Sequence, residues 1–281
     1  MLGPRTLSAA VELASFRTPT LPPATHTNSY VLGSREVLLV EPATPYARER
    51  NAFVDWARAL PQSGRTPVAI VLTHHHNDHV GGATFLAREL GLPVWMHEDT
   101  AARVPVPPGR LLRDGESIVL DGPVRTSWEV LHTPGHAPGH ICLHSARTRE
   151  LVVGDMLAGT GTILVPPASG DGDMAEYLRQ LRRLEGTDAF VAYPAHGDPI
   201  EGPAGRFRAY IAHRLEREAR IVEVLTIAPG RTADELVLPV YGELPWMSRP
   251  FARLSIESHL EKLASEARVR RVDGDDVPRY A

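Results

Sequence analysis

Residues 69–82 run from an apolar stretch, Ala69–Leu72, straight into Thr73, His74, His75, His76, Asn77, Asp78 and His79, with Gly81 and Gly82 behind them. Four of the chain's 13 histidines and one aspartate fall within six residues. Core packing does not ask for such a run. Neutral imidazoles and carboxylates grouped at a strand end are the donors a divalent cation takes. A cation so held polarises carbonyl or phosphoryl oxygens and activates water, so the chemistry to look for is hydrolysis.

Three later stretches repeat the arrangement of an apolar run ending in a polar side chain. One run ends at Thr133, where Pro134-Gly135 turns the chain and presents His136; His132, His140 and His144 flank it, and a strand resumes at Ile141. A second run ends at Gly154 and presents Asp155; a third ends near Tyr193 and presents His196 before Gly197. Side chains offered at strand ends build sites on the rim of a sheet.

The elements that must carry these positions can be read from periodicity. Residues 9–16 and 29–41 read as strands, the second a hairpin turning at Gly33-Ser34. Residues 45–60 have a helical period through Ala52, Phe53, Trp56 and Leu60, ended by Pro61 and Gly64. The run to Leu72 is a buried strand, and Gly81-Gly82 give a tight turn into a helix ending at Leu90. Short strands follow at 93–96, 117–120 and 128–132, with 103–116 an irregular connection of the kind that covers sites. Residues 161–173 form a loop in which Asp171 and Asp173 turn or cap the chain. A helix over 174–185 then has Met174, Tyr177, Leu178, Leu181 and Leu184 on its apolar side. His26 reads as a surface histidine, with a loop or substrate-rim position the alternative, His97 as an ordinary polar strand end, and Cys142 as a small core residue. Beyond Gly205 come a helix over 207–226, one from Thr232 to Tyr241, one starting at Ser248 or Pro250, and two short strands around Asp273–Asp276. Three helices and a β-hairpin make a winged helix.

Composition bounds the rest. A chain of 281 residues, 43% hydrophobic and 23% charged, buries one large core with a smaller second domain. No window is apolar enough to span a membrane, and the N-terminus lacks a signal-peptide core, so the expected location is cytoplasmic. Cys142 is the only cysteine, which excludes an intrachain disulfide. A net charge of -4 argues against general affinity for nucleic acid, without excluding a local basic groove.

The pattern His74-x-His76-x-Asp78-His79 resembles the signature of the metallo-β-lactamase superfamily, and the resemblance extends over roughly residues 10–200. It implies an α/β fold, an αββα sandwich of two mixed sheets with helices outside, in a hydrolase domain over 1–205. It implies two divalent ions, one held by His74, His76 and His136 and the other by Asp78, His79 and His196, with Asp155 bridging. Zinc suits these donors; Mn2+ or Fe2+ suits an octahedral version. Ions about 3.5–4 Å apart share and acidify a water, and the bridging hydroxide is the nucleophile. Asp78 would orient it. His140 is a candidate to contact substrate or donate to the leaving group, or else a structural histidine at a strand start. Thr73, His75 and His140 are candidates to brace the ligands, with His75 alternating away from the two beside it. The chain departs from the family at Glu41-Pro42-Ala43, where many members have Asp-Thr-Gly. Glu41 either replaces that aspartate with a longer reach or the surroundings of the metals are rebuilt.

The tail resembles the winged helix of the β-lactamase-like protein 2 (LACTB2-like) group, through residues 209–225, 235–242 and 255–269, and residues 25–33 resemble that group's strand entry. The resemblance sets a winged-helix domain over 206–281. The group is similar to thioesterases and includes endoribonucleases acting on single-stranded RNA. The carboxylate at Asp155 and the C-terminal domain argue against the antibiotic-degrading members. The reading preferred is hydrolysis of a small ester, thioester or lactone; the alternatives are a single-strand endoribonuclease and a non-catalytic, metal-containing nucleic-acid-binding module. The expected partner is a small acyl substrate or single-stranded RNA, with no membrane and with a homodimer open. Arg249, Arg253, Arg268, Arg270 and Arg271 could line an RNA groove, but Glu257, Glu261, Glu266, Asp273, Asp275 and Asp276 interleave with them, as on a solvated face.

Overall fold

The structure is a computed structural model and describes residues 2–272 and 277–281; the expected hairpin turn, with Asp273, Asp275 and Asp276, lies outside the described residues. In chain order the elements are β1 (Leu2–Ser8), β2 (Val11–Arg17), β3 (His26–Leu32), β4 (Glu36–Val40), α1 (Ala47–Ala59), β5 (Thr66–Val71), α2 (Asn77–Val80), α3 (Ala83–Leu90), β6 (Val94–Met96), α4 (Glu98–Ala101), β7 (Arg110–Leu111), β8 (Ser117–Leu120), β9 (Thr126–His132), β10 (Ile141–Ser145), β11 (Glu150–Gly154), α5 (Met174–Glu185), β12 (Val191–Pro194), β13 (Ile200–Glu201), α6 (Pro203–Ile227), β14 (Arg231–Thr232), α7 (Ala233–Tyr241), α8 (Arg249–Ser265), β15 (Arg271–Val272) and β16 (Arg279–Tyr280).

The chain forms two compact units: residues 1–133, 138–162 and 188–203 make the first, and residues 134–137, 163–187 and 204–281 the second. The first holds the two-sheet sandwich of an α/β fold, with α1 and α3 packed on the outer face of one sheet. A seven-stranded sheet has the order β1-β2-β3-β4-β5-β6-β7, and a six-stranded sheet the order β13-β12-β11-β10-β9-β8. Both are mixed, because β4–β5, β5–β6, β6–β7 and β11–β12 are parallel while the remaining pairs are antiparallel.

Strand β5 shows why its sequence is continuously apolar. Ala69 and Val71 join Leu38, Trp128, Val130, Ile141 and Val152 in the core between the two sheets. Ile70 and Leu72 point the other way, into a core with Phe53 and Trp56 of α1 and Leu86 of α3. A strand buried on both faces loses the alternation of a half-exposed one. Strand β1 shows the converse. Five of its seven residues are exposed and it carries Gly3 and Pro4, the composition of an edge strand, so no hydrophobic pattern announces it. The strand read at 9–16 is β2.

In the second unit, α6, α7 and α8 share a core of Ile221, Leu225, Leu236, Val240, Ile256, Leu260 and Leu263, with Tyr280 from β16. Helix α7 starts with a capping box: the Thr232 hydroxyl accepts from the Glu235 amide, and the Glu235 carboxylate accepts from the Thr232 amide. Helix α6 begins at Pro203, four residues ahead of the expected Phe207. A three-stranded sheet, β14-β16-β15, completes the winged helix. Strand β14, only two residues long, was not foreseen. Buried Glu218 of α6 accepts from Lys262 (2.9 Å) and Arg268 (3.3 Å) and faces His259 Nδ1 at 3.4 Å. Among the described residues no helix is long and apolar enough to cross a membrane.

Candidate metal centre

The segment after β5 leaves the sheet at Leu72 and climbs through an extended His76 into the single turn of α2. Gly81 and Gly82 do not make the tight turn expected of them; their φ angles, -57° and -99°, suit any residue. They are required by close approach. A Cβ on Gly81 would meet the Asn77 carbonyl oxygen at 2.7 Å, and one on Gly82 the Pro42 carbonyl oxygen at 2.7 Å. The turn therefore sits directly on the segment that follows β4 and Glu41.

This packing gathers side chains from three strand ends. His79 Nε2 lies 3.8 Å from Asp78 Oδ1 and 3.6 Å from Asp155 Oδ2. His196 Nε2 lies 3.5 Å from Asp78 Oδ2 and 3.4 Å from Asp155 Oδ1. Asp78, His79 and His196 offer donor atoms within 4.8 Å of one another. Beside them, His74 Nε2 is 3.0 Å from His76 Nδ1. His136 belongs to the second unit, where it is buried and its Nδ1 lies 2.8 Å from the Leu164 carbonyl oxygen.

The opposite ring edges are braced. The Thr73 hydroxyl donates to Glu41 Oε1 and so accepts from His74 Nδ1, at 3.0 Å. Glu41 Oε2 sits 3.3 Å from His79 Nδ1, and His196 Nδ1 donates to the His26 carbonyl at 3.1 Å. With Nδ1 of all three rings directed at an acceptor, the Nε2 lone pairs are left for a cation. Glu41, His74 and His79 also form a close donor group. Glu41 faces the Nδ1 edge of His79 and already accepts from Thr73, so its place is behind the imidazoles.

The electrostatics fit a cation. Burial disfavours charge on Asp78, yet neighbouring His79 and the hydrogen bond from His196 hold its carboxyl well below the usual carboxylate range. Burial would lower His79, but Asp155, Asp78 and Glu41 outweigh it and raise its pKa well above the ordinary value. His196 is raised against burial chiefly by Asp155 and Asp78. Neither ring nitrogen of fully buried His79 completes a hydrogen bond among the described residues. Carboxylates that raise the pKa of two buried imidazoles surround a space that favours positive charge, which a divalent cation would supply.

His140 departs from the expectation of a substrate contact. It is fully buried, its Nδ1 is 2.8 Å from the Thr133 hydroxyl, and its Nε2 accepts from the Asp155 amide at 3.1 Å. The bond to the amide requires Nε2 unprotonated, so Nδ1 carries the hydrogen. Gly154 makes this possible. Its φ is +47°, and a Cβ there would lie 2.6 Å from His140 Nε2.

Other residues fall outside the cluster. His75 is half-exposed. His97 caps α4, accepting from the Asp99 amide, and its ring stacks on His132 at 3.9 Å and 10°. His97, Asp99 and His132 also form a close donor group. An imidazole lone pair lies in the ring plane, and two parallel planes share no common point for an ion, so the stacked rings do not converge as ligands. His144 pairs with Asp188 at 3.1 Å, Cys142 is buried, and Asp173 caps α5. Thr20 was not anticipated; its hydroxyl lies 3.5 Å from His196 Nε2, and no local pattern connects positions that far apart in sequence.

Comparison with known proteins agrees with this geometry. Residues 22–196 match the family described as metallo-beta-lactamase superfamily, and residues 232–276 match the beta-lactamase associated winged helix domain. A beta-lactamase-like protein 2 homolog from Caenorhabditis elegans is 28% identical over 247 residues, covering 85% of this chain and 79% of that protein. The atrochrysone carboxyl ACP thioesterase of Passalora fulva is 28% identical over 261 residues, covering 86% of this chain and 72% of that protein. Among solved structures, a metallo-beta-lactamase family protein from Thermus thermophilus is 29% identical with a TM-score of 0.80, covering 98% of this chain and 99% of that one.

Proposed function

Because the chain belongs to the metallo-β-lactamase superfamily, as a metal-dependent hydrolase with the associated winged helix and a likeness to β-lactamase-like protein 2, we propose that it hydrolyses a small ester, thioester or lactone. The observation that carries the reading is the convergence of His79 Nε2 and His196 Nε2 on the carboxylates of Asp78 and Asp155. The ligand sets proposed are Asp78, His79 and His196 for one ion and His74, His76 and His136 for the other, with Asp155 shared. The histidine-rich donor set favours zinc.

Two divalent cations bound there would acidify a water and polarise the carbonyl it attacks. The chain's own residues do the rest. Asp78 is more open than the two groups it meets, its side chain 18% exposed against 10% for Asp155 and 7% for His196. Its carboxylate, held ionised, is therefore placed to accept a hydrogen bond from the attacking water or hydroxide and to aim it. Thr73 keeps Nδ1–H on His74, and the Glu41 carboxylate stands 3.3 Å from His79 Nδ1. His140 fixes the main chain at Asp155 through its amide, which makes it a positioning residue.

The winged helix supports an acyl substrate over RNA. Arg253 is engaged by Glu257 and Asp234, and Arg268 by Glu218 and Glu266, so two of the five arginines considered for a groove are already neutralised. The thioesterase among the relatives points the same way. We take residues 1–205 as the catalytic domain and 206–281 as the winged-helix domain. We place the protein in the cytoplasm, where one buried cysteine needs no oxidising compartment. The test is parallel turnover, by zinc-reconstituted protein, of acyl thioesters, lactones and single-stranded RNA. Thioester or lactone hydrolysis lost in Asp78→Asn is the expected result; RNA cleavage without acyl turnover would overturn the reading.

A further inference from the structure

Within the first unit, a cavity of about 220 Å³ opens beside His196, between the N-terminal strands and the loops that carry Thr160 and Asp198. We propose that it is a subsite for a carboxylate at the far end of the acyl group, with Arg5 as the recognition residue. The proposal rests on the acyl-hydrolase reading and extends it to a substrate class.

Position is the first argument. His26 and Gly197 both line the cavity. The His26 carbonyl accepts from His196 Nδ1, and Gly197 is the next residue after His196. The cavity wall is thus one residue along the chain, and one hydrogen bond, from an imidazole of the candidate centre. The volume is below the roughly 300–1,000 Å³ of a whole small-ligand site, so it suits one end of a substrate.

Chemistry is the second. The polar atoms deeper in the wall are satisfied internally. The Asn28 amide donates to the Pro194 and Gly197 carbonyls, the Ser15 hydroxyl donates to Asn28, and the Thr25 hydroxyl meets His26 Nδ1 at 2.8 Å. The charged groups of the lining are the Arg5 guanidinium and the Asp198 carboxylate that pairs with it. Arg5 pairs with Asp198 at 3.3 Å, but the two side chains are 56% and 85% exposed. Such a solvent-screened pair exchanges readily. The planar guanidinium fork matches the two oxygens of a carboxylate.

The experiment uses the full-length protein. Calorimetry with glutarate should show binding to the wild type, weakened about tenfold in Arg5→Gln and strengthened in Asp198→Asn, which removes the competing carboxylate. In turnover, the preference for a succinyl over a butyryl thioester should fall about tenfold in Arg5→Gln. No glutarate binding to the wild type, or an unchanged succinyl-to-butyryl ratio in both variants, overturns the subsite. Loss of RNA-oligomer affinity in Arg5→Gln, with glutarate affinity unmoved, overturns it as well. Arg5-dependent glutarate binding without turnover of any thioester would leave the subsite standing and remove the acyl-hydrolase reading instead.

Discussion

Glu41 Oε2 lies 3.3 Å from His79 Nδ1, with both side chains essentially excluded from solvent. The same carboxylate takes the Thr73 hydroxyl, which in turn takes His74 Nδ1. One glutamate thus braces two histidines of the cluster, from a backbone position at φ +63° that few side chains adopt. Its departure from the family's aspartate has become a longer reach that still meets the imidazoles.

Replacing Glu41 by Gln should lower zinc affinity about 10- to 100-fold, the usual effect of losing a carboxylate behind a ligating histidine. Competition with a fluorescent chelator measures it. Glu41→Gly, which relaxes the positive φ, should bind zinc as poorly as Gln while being the more stable of the two in the metal-free state. Equal zinc affinity in wild type and Glu41→Gln would refute the bracing role.

Asp78→Asn should reduce kcat about 100-fold, the scale of losing the group that aims the nucleophile. Metal analysis of the same sample should show that at least one ion equivalent is retained, since five other proposed ligands plus Asp155 are untouched.

His140→Ala leaves the Asp155 amide without its acceptor in a fully buried site. The expected cost is about 1–3 kcal/mol of stability, read by chemical denaturation. Because His140 acts through the main chain, the dependence of kcat on leaving-group pKa should keep its slope. A steeper slope would make His140 the proton donor to the leaving group.

Zinc binding at neutral pH should release protons. His79 and His196 have raised values in the metal-free protein, so they are protonated there at a pH where free histidine is not, and a cation displaces those protons. Affinity should therefore fall as pH declines. Titration in weak buffer, with a net proton count of zero as the contrary result, decides it.

Acid should weaken the second unit in two stages. Burial lowers the His259 pKa, so its contribution is lost as pH falls below about 6.5, where the unfolded histidine takes up a proton first. Glu218 is lowered despite its burial by hydrogen bonds from His259 and Lys262, so its contribution is present above about 4.3 and is lost as pH falls through its folded value. Hydrogen exchange of α6 and α8 amides follows both stages, and Glu218→Gln should abolish the lower one.

Much of the candidate site is legible along the chain because its cues are local. His74, His76, Asp78 and His79 crowd one strand exit, while Asp155 and His196 each end an apolar run, so a strand followed by a candidate metal ligand can be read over a few residues. The winged helix is legible for the same reason, through Thr232 and Glu235 and the apolar period of α8. Tertiary structure alone decided what depends on distant partners. Glu41 meets His79 across 38 positions, Thr20 meets His196 across 176, and Gly81-Gly82 answer a close approach to Pro42 that no turn rule describes. Strand β1 and the cavity at Arg5 were likewise invisible, since an exposed edge strand has no hydrophobic pattern. Burial also set the orientation of His140. Residue type and spacing determine which groups reach a sheet's rim; which atom of each faces a cation, a hydrogen-bond partner or the solvent depends on contacts that exist only once the two sheets close on each other.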